Sequence, residues 1–199
     1  MAIHTSKFDL HKEALEENLE AVRLLISYQK EVISNKWIDE KGCLGYPAAT
    51  LLFSCINAFG NLFYDEVVAG VKISSDKKTF QILNSEYFES QNISNDILDE
   101  LYETYRSKLT HNLSLPKNYF IKLKSGNNNW YETSNNDKGK KIISTVYLQD
   151  LHELCSKAYN KIENEHKEKY NGSIKTVYME KKDLGENWIY NNVNVSGII

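Results

Sequence analysis

Residues 95–112 read NDILDELYETYRSKLTHN, and apolar side chains recur in them every three or four positions. This spacing is typical of an amphipathic α-helix and predicts one helix from Ile97 to His111. The Ser-Asn-Asp sequence at 94–96 supplies natural N-cap residues at its start. Pro116 favours an end soon after His111, because the residue before a proline avoids helical backbone geometry.

The predicted helix has one apolar side and one polar side when its residues are spaced at about 100° each. The apolar side carries Leu98, Leu101, Tyr102, Tyr105 and Leu109. The polar side carries Glu103, Arg106, Ser107, Thr110 and His111, with His111 about 140° from Arg106 in an ideal helix. We therefore expect the apolar side to pack against the rest of the protein and the Arg106 side to remain accessible.

Three further helical patterns surround this segment. The first is predicted from about Phe8 to Ser34. The second, from about Pro47 to Ala69, is apolar over most of its circumference, which is typical of the most buried helix of a bundle. Gly60 inside it indicates close packing or a bend, since glycine costs about 1 kcal/mol relative to alanine in a helix. A short third helix is predicted from about Phe80 to Glu89.

Beyond Pro116 the sequence alternates in the manner of β-strands, with Asn- and Gly-rich turns between the alternating runs. Strands are predicted at 119–124, 129–132 and 142–147. The helical period returns from Leu148 to about Tyr170. A small sheet is therefore expected to interrupt a helical protein, as a hairpin or a three-stranded flap.

These patterns predict a mainly α fold, an up-and-down four- or five-helix bundle, over residues 1–170. A small antiparallel β-hairpin is inserted in it at about 117–147. Residues 171–199 form a C-terminal extension whose pattern fits short strands or an extended arm. One domain is the natural expectation for 199 residues.

Composition narrows the class of protein. Three cysteines, Cys43, Cys55 and Cys155, are too few and too scattered for a disulfide framework or a zinc site, and no other metal or cofactor site is evident. Cys55 and Cys155 lie in apolar helical patterns and are expected in the core. The chain has no apolar signal core and no run long enough for a membrane span, so we expect a cytoplasmic protein without membrane contact.

Charge gives no global attraction to nucleic acid, because the formal net charge is −3. Residues 117–141 are locally basic, with six lysines against Glu132 and Asp137, a balance of +4. Lys122 and Lys124 are expected on one face of the first predicted strand, where they would follow an RNA backbone. The alternative is that these lysines protect a sheet edge from aggregation.

The run LYETYRSKLTHN at 101–112, with Arg106 five residues before His111, resembles the RxxxxH signature of the HEPN superfamily. The resemblance also covers the order of elements over about residues 8–168 and the start of the second helix, YPAATLLF at 46–53. It implies a helical bundle that dimerises through the motif helix. Many members of the superfamily are metal-independent endoribonucleases that serve as toxins or in defence and stress responses, some of them with a regulatory protein partner.

The resemblance also implies roles for five residues. Arg106 would hold the scissile phosphate, because its planar guanidinium suits an oxyanion. His111 would transfer protons, since imidazole changes charge near neutral pH. Glu103 would orient Arg106, and Ser107 and Thr110 would hydrogen-bond substrate oxygens. No metal or other cofactor is required by this chemistry.

Two departures from the family pattern are visible. Ser107 stands where active members often have Asn, Asp or His. Leu113 stands where one toxin subgroup has a tyrosine that a partner nucleotidyltransferase modifies. Three functions therefore stay open: an RNA-cleaving homodimer, a non-catalytic dimeric module that binds a nucleotide, RNA or a partner protein, and a structural helical domain in which Arg106 and His111 are merely solvated.

Overall fold

The computed structural model of this protein describes residues 7–28, 44–112, 114–127 and 129–169. Five α-helical segments are present in them: α1 (Lys7–Ser27), α2 (Gly45–Leu62), α3 (Asn95–Leu101), α4 (Leu109–Asn112) and α5 (Leu148–Lys169). A π-helical segment, Tyr102–Lys108, joins α3 to α4 without a break. We refer to Asn95–Asn112 as the motif helix. Two 3₁₀ helices, Asp76–Asn84 and Glu86–Phe88, precede it.

The described residues also form five strands: β1 (Val67–Val68), β2 (Val71–Lys72), β3 (Phe120–Lys122), β4 (Tyr131–Asn135) and β5 (Lys141–Tyr147). The protein is thus mainly helical with small sheets, as the sequence predicts. The up-and-down arrangement of a bundle stays a prediction. The C-terminal extension at 171–199 and the end of the first predicted helix at 29–34 lie outside the described residues.

Helix α2 forms the centre of the core, where it contacts α1, α5, the first 3₁₀ helix and the π-helical segment. Half of its residues are buried, among them Phe53, Ile56 and Phe59, each with no exposed surface. The central position of α2 in the core agrees with the prediction that this helix is the most buried. Cys55 is fully buried as well, so the expected core role of this cysteine is confirmed.

Helix α2 is shorter at its C-terminal end than the sequence predicts. It ends at Leu62, and a two-residue antiparallel hairpin, β1 and β2, occupies part of the remainder. Ala69 and Gly70 both have positive φ angles in the turn, 48° and 80°, which no helix accommodates. The predicted third helix is also wrong in type, because the chain there forms tighter 3₁₀ turns from Asp76 to Phe88.

The inserted sheet differs from the predicted antiparallel hairpin in one respect. β4 and β5 pair in antiparallel fashion, as expected, but β3 pairs with the other side of β5 in parallel. The strand order is therefore β3-β5-β4, with β5 in the middle.

The inserted sheet is also part of the core and is not a flap on its surface. Every residue of β5 after Lys141 is buried, and Ile143 and Val146 belong to the main hydrophobic core. The sheet consequently provides a fixed support for the motif helix.

Candidate functional site

The motif helix is not a regular α-helix around Arg106. Arg106 lies in the π-helical segment, and His111 lies in the short α4 that follows. A π-helical turn is wider than an α-helical turn, because each backbone hydrogen bond spans five residues. The ideal 140° separation of Arg106 and His111 therefore does not hold across this junction.

The apolar side of the motif helix is anchored by Tyr105. This side chain is fully buried, and its hydroxyl lies 3.1 Å from the carbonyl oxygen of Ser144 and 3.3 Å from that of Phe120. Its ring packs against Phe53 and Tyr119, with centroid separations of 5.3 and 5.9 Å. Burial raises the pKa of Tyr105, so the neutral, hydrogen-bonding phenol is retained. The predicted apolar side is confirmed by this packing.

Arg106 is half-buried and is held by Thr110. Its Nη1 donates to Thr110 Oγ1 at 2.8 Å, and the Thr110 hydroxyl donates in turn to the Arg106 carbonyl oxygen. The Nε of Arg106 is buried and has no hydrogen-bond partner among the described residues. The guanidinium is thus held on one side by Thr110.

Glu103 is placed differently from the expectation that it orients Arg106. Its carboxylate is exposed and lies 3.4 Å from the Nζ of Lys77, which comes from the first 3₁₀ helix. Lys77 also lies 3.7 Å from Asp99, so both acids share one cation. Thr110, and not Glu103, is the residue that contacts the Arg106 guanidinium.

His111 is exposed in the last turn of the motif helix, and Ser107 is half-buried within the π-helical segment. No hydrogen bond joins His111 to Arg106 within the part of the chain that the structure describes. The single chain therefore brings Arg106 and Thr110 together but leaves His111 without a direct link to them.

A shallow concavity of about 430 Å³ lies beside the motif helix. Neither Arg106 nor His111 lines it. Its charged lining consists of four carboxylates and three ammonium groups, from Asp96, Asp99, Glu100, Glu103, Lys77, Lys108 and Lys140. Since carboxylates outnumber cations, this concavity does not suit a polyanion.

The two lysines proposed to contact RNA occupy the edge of the sheet. Lys122 is exposed at the end of β3, with its Nζ 5.8 Å from the centroid of the Tyr147 ring. Lys124 is exposed too, but β3 ends at Lys122, so a shared strand face is not formed. A third lysine of this basic stretch, Lys140, pairs with Glu100 at 3.2 Å. Edge position and exposure fit both interpretations of these lysines.

Packing is the role of Trp130 and of two histidines, His152 and His166. Trp130 is 4% exposed and its Nε1 donates to Gln91, so it is an anchor and not a free stacking platform. His152 bonds the backbone carbonyl of Leu19, and His166 is buried against Phe8. Within the described ranges, no group of three His, Cys, Asp or Glu residues is arranged to hold a metal, and no helix has the length and apolarity of a membrane span.

Sequence reasoning missed two features of this site. The first is the role of Lys77 as the partner of Glu103, which depends on a contact between residues 26 positions apart. The second is the clamp on Arg106, although its signal was present: a threonine four residues after an arginine in a helix lies on the same face. The first feature had no comparable signal in the sequence.

Comparison of this chain with protein-family models, with curated proteins and with solved structures gives no match. The functional proposal therefore rests on the sequence motif together with the geometry of the described residues.

Proposed function

We propose that this protein is a metal-independent endoribonuclease of HEPN type that acts as a homodimer. The observation that supports the proposal is the placement of Arg106. Its side chain is half-buried, and Thr110 holds its Nη1 at 2.8 Å. A cation held in one direction suits a phosphate oxyanion better than a freely solvated surface arginine does.

The chemistry requires an in-line attack of a ribose 2′-oxygen on the adjacent phosphorus. His111 takes the proton from the 2′-hydroxyl, or delivers a proton to the departing 5′-oxygen, and a second histidine performs the other transfer. Arg106 stabilises the charge that develops on the non-bridging phosphate oxygens. The P–O5′ bond breaks, and the products are a 2′,3′-cyclic phosphate and a free 5′-hydroxyl group.

Dimerisation is part of the proposal because one chain supplies only one such histidine. The anchored side of the motif helix faces the sheet through Tyr105, whereas His111 is exposed. Two motif helices that meet across a two-fold axis bring two Arg106 and two His111 side chains to one cleft.

A second candidate function has one observation in its favour. The lining of the concavity beside the motif helix has four carboxylates and three ammonium groups, and Glu103 is engaged by Lys77. These features favour a non-catalytic dimeric module whose ligand is a partner protein with a basic surface. RNA cleavage is the property that separates the two candidates.

The test is an RNA-cleavage assay in EDTA with the wild-type protein and two variants, Arg106→Ala and His111→Ala. Each variant is expected to lose at least about 100-fold in rate, the usual contribution of a positioned proton-transfer or oxyanion group. Arg23→Ala is a matched control, because Arg23 is the other arginine of the chain and pairs with Glu20 on the exposed face of α1. It should cleave like the wild type.

A substrate with a single 2′-deoxynucleotide at the cleaved position should resist cleavage, since the attacking oxygen is missing. Absence of cleavage by the wild type on structured and single-stranded RNA alike would remove the nuclease proposal. Tight binding of a basic protein under the same conditions would then support the interaction module.

A further inference from the structure

We propose that Thr110 is the positioning residue for Arg106. The catalytic consequence of this role rests on the proposed function, whereas the geometry of the contact does not. The hydroxyl of Thr110 accepts a hydrogen bond from Arg106 Nη1 at 2.8 Å and donates its own proton to the Arg106 carbonyl oxygen. Both ends of one residue, its backbone and its guanidinium, are held by a single hydroxyl group.

This arrangement changes the expected role of Thr110. A threonine hydroxyl has one proton, and that proton is committed to the Arg106 carbonyl oxygen. Thr110 is therefore not available as a donor to substrate oxygens, although the sequence resemblance implies that role. Its contribution is to fix the direction in which Arg106 points.

The clamp spans the junction between the π-helical segment and α4. Arg106 belongs to the first and Thr110 to the second. The backbone N–H of Leu109 also bonds the Arg106 carbonyl oxygen at this junction. The hydrogen bonds that orient the guanidinium therefore lie where the π-helical segment passes into α4. The Nε of Arg106 is buried and has no partner within the described residues.

A hydrogen bond from threonine to the carbonyl four residues earlier is common in helices, so this bond alone would show nothing. Thr50 makes the same bond, to the carbonyl of Tyr46 at 3.0 Å, in α2. What distinguishes Thr110 is the second bond, which it accepts from a half-buried guanidinium. Thr50 thus offers a matched control for the ordinary backbone bond.

The chain contains only two arginines, Arg23 and Arg106, so their Nε–Hε groups give two NMR signals. Arg23 donates from Nε and Nη2 to Glu20 on an exposed surface and serves as an internal reference. We expect the Arg106 signal to have a high heteronuclear NOE in the wild type. The NOE should fall in Thr110→Val, which keeps the shape but loses both bonds, and should be retained in Thr110→Ser.

Thr50→Val should leave both arginine signals unchanged. Thr110→Ala is a second variant in case the valine perturbs folding, and thermal unfolding is measured for every variant. An Arg106 NOE in Thr110→Val and Thr110→Ala equal to that of the wild type would overturn the inference.

Cleavage kinetics provide a separate readout. Thr110→Val should lower kcat by about 10- to 100-fold with a smaller change in KM, because a misdirected cation affects the transition state most. Thr110→Ser should restore kcat. If the wild type cleaves no RNA, the proposed function fails while the NMR comparison still decides whether Thr110 holds Arg106.

Discussion

At the scale of single residues, one hydroxyl group links the motif helix to two strands. Tyr105 is fully buried and lies within hydrogen-bonding distance of carbonyl oxygens from Phe120, Ile143 and Ser144. Its single proton is shared among them, so no one bond is strong. The link matters because Tyr105 directly precedes Arg106 in the motif helix.

Removing this hydroxyl should weaken the protein moderately. Tyr105→Phe is expected to lower the free energy of unfolding by about 1 kcal/mol, the net value of a typical buried hydrogen bond, while the ring continues to pack against Phe53. Urea unfolding measures the change. Tyr64→Phe is the control, since Tyr64 donates to the Ser74 carbonyl on an exposed surface and should lose less. Equal losses in the two variants would contradict the anchoring role.

At the scale of elements, the contact between α2 and the first 3₁₀ helix depends on a missing side chain. A Cβ atom placed on Gly60 would lie 2.2 Å from the carbonyl oxygen of Thr79 and 2.4 Å from its Cβ. The close packing that the sequence indicates at Gly60 is therefore confirmed. This contact positions the segment from which Lys77 reaches Glu103.

Gly60→Ala should destabilise the protein although alanine favours a helix. The helix propensity gain is at most about 1 kcal/mol, whereas forcing a methyl group against backbone atoms costs about 1–3 kcal/mol or more. We expect a net loss, measured by chemical unfolding. Gly126→Ala is the control, because nothing lies within 4 Å of a Cβ at that position. A Gly60→Ala protein as stable as the wild type would argue against the close contact.

The edge strand β3 allows a second test at this scale. If Lys122 and Lys124 contact RNA phosphates, the double variant Lys122→Ala/Lys124→Ala should reduce the slope of log affinity against log salt by about 1–2. Lys138→Ala is a control from the same basic stretch, at the exposed turn between β4 and β5. An unchanged slope in the double variant favours the interpretation that the lysines only protect the sheet edge.

At the scale of the whole molecule, the sheet, the motif helix and the concavity meet at Tyr119. Its hydroxyl donates to the Glu100 carboxylate, and its ring packs on Tyr105. Burial, and next the hydrogen bond to Glu100, raise the pKa of Tyr119 to about 12. The folded state therefore binds the phenolic proton more tightly than the unfolded chain, in which tyrosine titrates near 10.

This raised pKa predicts a loss of stability in alkali. The stabilisation is fully present below pH about 10 and is lost as the pH rises towards 12, because the unfolded state releases the proton first. The free energy of unfolding should fall across this window, and it should fall less steeply in Tyr119→Phe than in the wild type. Parallel pH profiles for the two proteins would contradict the assignment.

The oligomeric state belongs to the same scale. The proposed nuclease requires two motif helices in one cleft, so light scattering at micromolar concentration should give a dimer, about 46 kDa for a chain of 23.0 kDa. Replacing the exposed His111 with a bulky charged residue, as in His111→Glu, should shift the dimer towards monomer. A wild-type monomer at this concentration would remove the dimeric site.

Local periodicity in the sequence determined which surfaces are buried. The apolar circumference of α2, the apolar side of the motif helix and the core position of Cys55 all follow from the spacing of side chains along one segment. Burial depends on such spacing because a helix turns its side chains outward at nearly constant angles. The sequence alone likewise places Arg106 and Thr110 on one side of the motif helix.

Only the tertiary structure decided which distant segments meet. The parallel pairing of β3 with β5, the pairing of Glu103 with Lys77 and the tight approach of Gly60 to Thr79 join residues that no local pattern relates. The π-helical widening around Arg106 is of the same kind. No local pattern in the sequence indicates a π-helical segment at Tyr102–Lys108.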